Sequence, residues 1–488
     1  MVRADGAPVV AGGLLALLAA AGLVLLPLPL GAVLLPGIAL LAVLISAPRV
    51  TFVLFALSAV SLPYTSIELG IRLTLSEGLL ALAWLGVLLR APRDLRLPPW
   101  GRTEWLLLLL MGYSVVPFLY GELAMPGPSG LVSWLRWLLN LSTLFLVGIL
   151  FRSEDGIRGV ALALVLGMAA MLLLSIPVFL ADPDPLAMLP VLQSLGYVHT
   201  EAMLDIFSGT AGRMGSPWVH PNLLGGMLAL LLPVAVFLQV AARGGGRAVL
   251  WAVTLLGVAG LLLSISRGAI LALGLVLTAL AVRGRVAARR LLLLASLLAV
   301  LFVAVYPPVQ ERLGKMFSAQ NESTQLRFEE YRLFPEAVAR YPLGIGFKSD
   351  PPPPGSGLLG ISNLWLNYMY KLGLPAMFLF IAVLIAWWRE TSTPAVGAPG
   401  LAMGLRLGGL AALLTGPVDH YFSFSPVAVA VFWTVMGLAL SAARGSAPGA
   451  RQAQDTAGTG HAAHGWSAHS VHGPDGRQMP GVSSVAVE

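Results

Sequence analysis

Uninterrupted apolar stretches of about 17 to 25 residues, the length of helix that crosses a bilayer, recur along almost the whole of this 488-residue chain. No other feature narrows the possible folds so far. In hydrocarbon every backbone N–H and C=O must be satisfied within the protein, so a spanning segment is either a helix or a strand of a closed barrel. The runs are rich in Leu, Ala and Val and lack the two-residue alternation of a membrane barrel, which leaves helices. Only 11% of the residues are charged against 57% hydrophobic, too few charges to coat a soluble fold of this length. The predicted fold class is therefore all-α, a polytopic membrane protein of about fourteen transmembrane helices.

The expected spans are 8–27, 29–47, 50–65, 76–90, 103–120, 131–150, 157–180, 221–241, 248–265, 267–283, 290–306, 365–388, 400–417 and 425–443. Alternation from a cytoplasmic N-terminus puts Arg3, Arg49, Arg90, Arg93, Arg96, Arg102, Arg152, Arg158, Arg243, Arg247, Arg283, Arg285, Arg289, Arg290 and Arg389 on one side. That is what the positive-inside rule requires of the cytoplasmic face. The first run follows Arg3 as a signal peptide would, but the equally apolar runs behind it make it the first anchor of a transmembrane domain over 1–444.

The net charge of +7 follows from cytoplasmic loops facing anionic headgroups, and no basic patch with interleaved aromatics points to nucleic acid. The absence of cysteine excludes disulfides, thiol nucleophiles and thiolate metal sites. Residues 445–488 are rich in Gly, Ala, Ser and His without apolar periodicity, which predicts a disordered cytoplasmic tail. His461, His464, His469 and His472 within it match the spacing of no defined metal site, and neither a metal nor a cofactor is expected. Neither a solenoid repeat nor the inverted repeat of a transporter is visible.

Two long outward segments, 181–220 and 307–364, carry nearly all the polar chemistry of the external face. The first ends in RMGSPWVHPNLLGG, residues 213–226, where arginine, tryptophan, histidine and asparagine abut an apolar run. The second contains NESTQLRFEEYRLFPEAVARYP, residues 321–342. Asn321, Ser323 or Thr324 can cap a helix there, and Leu326, Leu333, Phe334 and Ala337 recur at helical spacing. The result is an amphipathic helix, able to lie on the membrane, that ends near Tyr341-Pro342. On it Arg327 and Tyr331 share one face, and Phe328 and Arg332 another. The following PLGIGF and the prolines at 351–354 predict a turn mobile enough to act as a lid.

RMGSPWVHPNLLGG, SISRGAILAL at 264–273, RFEEYRLFPEAVARYPLGIGF at 327–347, SNLWLNYMYKLGLPA at 362–376 and GPVDHYF at 416–422, in that order, resemble the O-antigen ligase and polymerase family. The likeness covers 213–422, under half the chain, and is carried by the order of five motifs that are each weak alone. It implies a GT-C-like membrane glycosyltransferase that takes glycan from an undecaprenyl-diphosphate carrier at the periplasmic face of a bacterial inner membrane. A ligase passes the glycan to a lipid A core sugar; a polymerase passes it to the next lipid-linked repeat unit. Neither uses a nucleotide sugar. The family's functional arginines correspond to Arg213 and Arg327, with Arg267 in the SRGA turn between two spans.

Residue chemistry supports the same assignment independently. Displacing a lipid diphosphate requires stabilisation of negative charge on the leaving oxygens, which permanently charged guanidinium forks provide. The chain departs from the family where ligases usually read His-Asn and this sequence reads Ser362-Asn363, because serine is no base near neutral pH. His220, the Asp419-His420 pair, Glu329 and Glu330 are the other candidate bases, or the hydroxyl loses its proton late and needs none.

Each candidate also has a plainer structural role. His220 can cap the helix that Pro221 opens, and Asp419-His420 can anchor an aromatic belt beside Tyr421 and Phe422. Asn222 and Asn363 can pin loops, while Trp218, Trp365 and Tyr368 can be belt residues rather than sugar platforms. Arg136 and Lys371, charges inside spans, can face a polar interior or snorkel to headgroups. The candidate catalytic set is Arg213, Arg327, His220, Ser362 and Asn363. The candidate substrate-binding set is Arg267, Asn222, Tyr331, Arg332, Asp419 and His420. The expected partners are an undecaprenyl-diphosphate-linked oligosaccharide, an acceptor glycan or glycolipid, and the bilayer. Polymerase is favoured over ligase because the ligase histidine is missing. A flippase for lipid-linked glycan should show ionisable residues or broken helices at the midplane, and a purely structural envelope protein should tolerate loss of the arginines.

Overall fold

The computed structural model describes residues 28–68, 72–94, 99–124, 127–183, 185–197, 212–215, 217–283, 286–307, 310, 322–348, 361–392 and 399–444. The expected first span at 8–27 and the expected tail at 445–488 lie outside the described residues. The helices, in chain order, are α1 (Leu28–Ser46), α2 (Pro48–Ser61), α3 (Leu75–Asp94), α4 (Arg102–Tyr113), α5 (Val115–Ala124), α6 (Leu131–Leu141), α7 (Thr143–Leu150), α8 (Glu154–Ala181), α9 (Leu189–Ser194), α10 (Pro221–Ala241), α11 (Gly244–Ser264), α12 (Arg267–Val282), α13 (Val286–Val305), α14 (Glu322–Arg340), α15 (Leu364–Thr391), α16 (Pro399–Thr415), α17 (Tyr421–Phe424) and α18 (Pro426–Arg444).

The fold is all-α and polytopic. Among the described residues seven helical segments are long and apolar enough to cross a membrane: Arg102–Ala124, Leu131–Leu150, Glu154–Ala181, Pro221–Ala241, Gly244–Ser264, Leu364–Thr391 and Pro426–Arg444. An eighth arises if Pro36–Ser46 and Pro48–Ser61 count as one span bent by 104°. The thirteen expected spans within the described residues all fall on helix. Arg267–Val282 and Gly400–Thr415 are too short to pass as separate full-length spans, and the pair Pro36–Ser46 and Pro48–Ser61 is bent. That bend falls at Ala47, where Pro48 opens a new helix at its first position, the site where its missing N–H costs least.

Helices α10 and α18 are apolar on every face and form the centre of the bundle, as such helices must. The first packs against α11 and α16, the second against α7 and α16, while α2, α3 and α8 make one flank and α4 with α15 another. Leu123, Leu173, Leu271 and Val282 are exposed on the periphery, a distribution suited to acyl chains rather than water.

One small sheet departs from the helical pattern. Strands β1 (Ser66–Glu68) and β2 (Arg72–Thr74) pair antiparallel, Ile67 opposite Leu73. The hairpin delivers Thr74 to the start of α3, where Thr74 N donates to Glu77 Oε2 at 3.1 Å and Glu77 N donates to Thr74 Oγ1 at 3.2 Å, a reciprocal cap. Glu77 is fully buried. Arg136 on α6 closes on it with two parallel 2.8 Å hydrogen bonds, so the charge inside that span has a structural partner.

Of the segment expected to be a mobile lid, the PLGIGF turn is packed instead. Helix α15 breaks at Gly373, which takes φ 80° and ψ 169°, and Pro375 brings no N–H to the carbonyl of Lys371 four residues back. Backbone N–H groups of the PLGIGF turn fill the gap: Ile345 N donates to Tyr370 O at 3.0 Å and Gly346 N to Lys371 O at 2.9 Å. Gly344, at φ 84°, passes so close to the Lys371 carbonyl that a Cβ could not fit. Ala337, Ile345, Ile361 and Tyr370 form a small core here, with Phe334 against it, so the apolar face of α14 packs on protein. Asn321, one of the three expected caps, and the prolines at 351–354 lie outside the described residues.

Candidate active site

The site is built from four chain breaks that meet at one end of the bundle: the turn before α10, the α11–α12 turn, the start of α15 and the loop before α17. Two non-glycine residues with positive φ mark the first two, Val219 at 67° and Ile265 at 50°. Both are β-branched, for which this region is disfavoured, so packing around them must hold the backbone there. The turn before α10 is pinned from several sides. Met214 N donates to Leu263 O at 3.0 Å, Tyr306 OH to Gly212 O at 3.0 Å, and Tyr197 OH to Pro217 O at 3.0 Å. Tyr64 meets both Tyr197 and buried Trp218 edge-on. Trp218 is thereby a packing residue of this turn.

Arg213 emerges from these constraints 4% exposed. Its Nε donates to Ser264 O at 3.1 Å and its Nη2 to Asn222 Oδ1 at 2.5 Å, so the α11–α12 turn and the start of α10 fix the fork. His220 is the N-cap of α10. Its Nδ1 accepts from Asn222 N at 3.1 Å, which places the proton of a neutral ring on Nε2, and Tyr421 OH lies 2.7 Å from the same nitrogen. Asn222 links onward, its Nδ2 lying 3.5 Å from Asp419 Oδ1.

Arg327 approaches from α14. Its Nη2 donates to Val418 O at 2.9 Å, next to Asp419, while its buried Nε has no hydrogen-bond partner among the described residues. Tyr331, one turn along, donates to Pro417 O at 3.2 Å, so the expected Arg327–Tyr331 face is the one that meets this loop. Arg267 opens α12 close enough to Arg327 for the two cations to repel, and it forms no hydrogen bond or ion pair among the described residues. Gly268 brings the same helix start against the loop, since a Cβ there would lie 2.6 Å from Val418 Cγ2 and 3.6 Å from Asp419 Oδ2.

Asp419 is the hub. Burial pushes its carboxyl up to about 7, although the charges of Arg327 and Arg213 and the Asn222 amide pull the other way. Burial also raises the Tyr421 hydroxyl well above its ordinary range, with the Asp419 charge adding to it. Its neighbour His420 is pulled down to about 4 by burial and by the Lys371 charge, so it is neutral at pH 7. Its ring stacks on Tyr421, with Nδ1 buried and unpaired among the described residues.

Ser362 and Asn363 have structural partners. Both the N–H and the hydroxyl of Ser362 donate to buried Glu330, at 2.9 and 3.0 Å, tying α14 to the start of α15. Burial lifts the Glu330 carboxyl, with Ser362 and Arg327 opposing. Asn363 caps α15 through Trp365 N and Leu366 N, and its Nδ2 donates to Pro417 O at 3.2 Å. Arg332 does not join the cluster: it is exposed, on the face shared with exposed Phe328. Trp365 and Tyr368 pack on Phe380 inside the bundle. Among the described residues no group of three or more His, Asp or Glu is placed to hold a metal ion.

The motifs brought Arg213, Asn222, Arg327 and Asp419 into view, but not the pairing of Tyr421 with His220 or the strain at Val219 and Ile265. The first depends on a contact across 201 residues. The second has no sequence signal, because valine and isoleucine are what a membrane helix contains anyway.

No curated protein matches the chain. One family model does, described as O-antigen ligase, over residues 252–381, a stretch that includes Arg267, Arg327, Glu330, Ser362 and Asn363. Over residues 252–381 the chain is thus similar to the O-antigen ligase domain, which supports the resemblance to the O-antigen ligase and polymerase family.

Proposed function

We propose that the protein is a membrane glycosyltransferase acting on a glycan carried by undecaprenyl diphosphate, and that it polymerises lipid-linked repeat units at the periplasmic face of a bacterial inner membrane. The reading includes the full topology of about fourteen spans in a GT-C-like arrangement, with both termini cytoplasmic. One observation carries it: Arg213 and Arg327, on distant segments, both reach the Asp419 loop, with Arg267 alongside. Clustered cations with a buried carboxyl among them fit a diphosphate leaving group beside a proton acceptor.

In the proposed step an acceptor sugar hydroxyl attacks the anomeric carbon of the donor. The new glycosidic bond forms as the bond from that carbon to the diphosphate oxygen breaks. The leaving oxygens take the electron pair and meet Arg327 and Arg267, whose donors are the less committed ones. Arg213, anchored to backbone carbonyls and Asn222, fixes the rim of the site. The acceptor proton passes to the ionised form of Asp419, whose proton affinity burial raises to about 7. His220, Asn222, Ser362 and Asn363 order the loops. Polymerase is preferred to ligase because Ser362 occupies the ligase histidine's place and serves Glu330.

The test is incubation of purified protein with a lipid-linked repeat unit, without nucleotide or added metal, followed by gel analysis. A ladder is expected; Arg327→Ala should cost about 10²- to 10³-fold in rate, in line with loss of a charge-stabilising donor, and Arg213→Ala should also abolish extension because the rim it fixes is released. Extension only after addition of lipid A core would make the protein a ligase. No product with either acceptor, and variants that behave as wild type in cells, would favour the flippase or a structural envelope role.

A further inference from the structure

Arg283 at the end of α12 and Arg406 on α16 line a second basic site, at the opposite end of the bundle from the Asp419 loop. A cavity of about 80 Å³ lies between them, with Trp388, Leu280, Met403 and Leu407 on its walls. The Arg406 guanidinium carbon lies 3.7 Å from the Trp388 ring centroid, so the aromatic face supports the charge. Its Nη2 donates to Ser392 Oγ at 2.5 Å, whereas its Nε is buried without a partner among the described residues.

No carboxylate lines the cavity, and neither arginine forms a salt bridge among the described residues. The two cations are close enough to repel each other. Holding like charges together in a partly apolar cleft costs free energy unless an anion joins them. The described residues offer none. Arg283 lies on the side that the positive-inside pattern assigns to the cytoplasm, where anionic headgroups concentrate, and Arg406 lies in the first half of α16, which enters the membrane from that side. From Arg283 the apolar lining continues back along α12 through Leu280 and Val276, and from Arg406 onward along α16 through Leu410, as an acyl chain beside the headgroup would require.

We propose that this cleft binds the phosphate headgroup of an anionic phospholipid, between Arg283 and Arg406, with an acyl chain along Leu280, Met403 and Leu407. The site joins α12, α15 and α16. Lipid bound there braces the cytoplasmic ends of helices whose other ends carry Arg267, Asn363 and the Asp419 loop. The inference does not depend on glycosyl transfer.

The experiment uses the full chain purified in detergent. Its melting temperature is measured with phosphatidylglycerol, with phosphatidylcholine of the same acyl chains, and with inorganic phosphate, and retained lipids are counted by native mass spectrometry. Phosphatidylglycerol is expected to raise the melting temperature by several degrees and to leave one lipid bound. Arg406→Gln and Arg283→Gln should lose at least half of that shift. Arg389→Gln, which removes an exposed charge at the same end but outside the cavity, should keep it. An equal shift with phosphatidylcholine, an equal shift with inorganic phosphate alone, or variants that respond as wild type would each overturn the proposal. Because Arg283 is exposed at a helix end, its variant keeps the test decisive if Arg406→Gln does not fold.

Discussion

Asp419 lies between two opposed influences: burial drives its proton affinity up, and Arg327, Arg213 and the Asn222 amide drive it down. If it accepts the acceptor proton, activity should rise with pH through about 7, as the carboxyl ionises. Asp419→Asn should remove that rise and most of the rate. Asn222→Ala withdraws a hydrogen bond that favours the ionised form, so it should move the acidic limb of the profile to higher pH. A limb that stays in place in Asn222→Ala would show that another group sets it. Stability has the opposite sign to activity. From the ordinary carboxylate range up to about 7 the folded protein keeps a proton that the unfolded chain has released, so this group lowers stability as pH rises through that window. Melting curves of wild type and Asp419→Asn across it should converge toward low pH. The residue types were legible in sequence; the carboxyl's shifted affinity was not, because burial and charge come from α10, α14 and the turn holding Arg213 together.

At the scale of elements, the existence of α14 and its end at Arg340 followed from helical spacing and the Tyr-Pro stop, while its surroundings did not. An apolar stripe states that a face will be covered, not by what. Here the cover is the small core of Ile345, Ile361 and Tyr370, and PLGIGF is a plug in the broken α15. The clue was present in the sequence, since Gly373 and Pro375 had to leave carbonyls without donors, but the donor segment could be identified only from the structure. Gly344→Ala would force a Cβ against the Lys371 carbonyl at a positive φ. It should cost about 1–3 kcal/mol, the range for a strained backbone position, and lower the melting temperature. An exposed control such as Gly245→Ala, where a Cβ meets nothing within 4 Å, should leave it unchanged. The Glu77–Arg136 pair makes a parallel prediction. Loss of one partner strands a buried charge and costs about 3–5 kcal/mol, so Arg136→Leu should melt well below wild type. Glu77→Leu combined with Arg136→Leu should recover much of the loss, as a hydrophobic replacement of a buried pair does.

For the whole molecule, the arrangement of charge connects sequence, fold and function. The buried network at one end joins Arg213, Asn222, Asp419, Arg327 and Glu330, and a separate one at the other joins Arg444 to Glu104 and Glu390. Positive-inside counting from the loops alone assigned these ends to opposite sides of the membrane, and hydropathy located the helices. Neither indicated which helices neighbour which, because lipid-facing and core-facing leucines are the same residue in sequence. The sidedness itself can be tested directly, because the chain contains no cysteine and is silent toward thiol reagents. Arg332→Cys places a thiol on the exposed face of α14, and Arg389→Cys places one near the end of α15, both at exposed positions. A membrane-impermeant maleimide should label Arg332→Cys in intact cells with a permeable outer membrane, and Arg389→Cys only after the inner membrane is opened. Labelling of both in intact cells, or in the reverse order, would move the arginine cluster to the wrong side for a periplasmic acceptor. The glycosyltransferase reading would then have to give way even if every arginine proved essential.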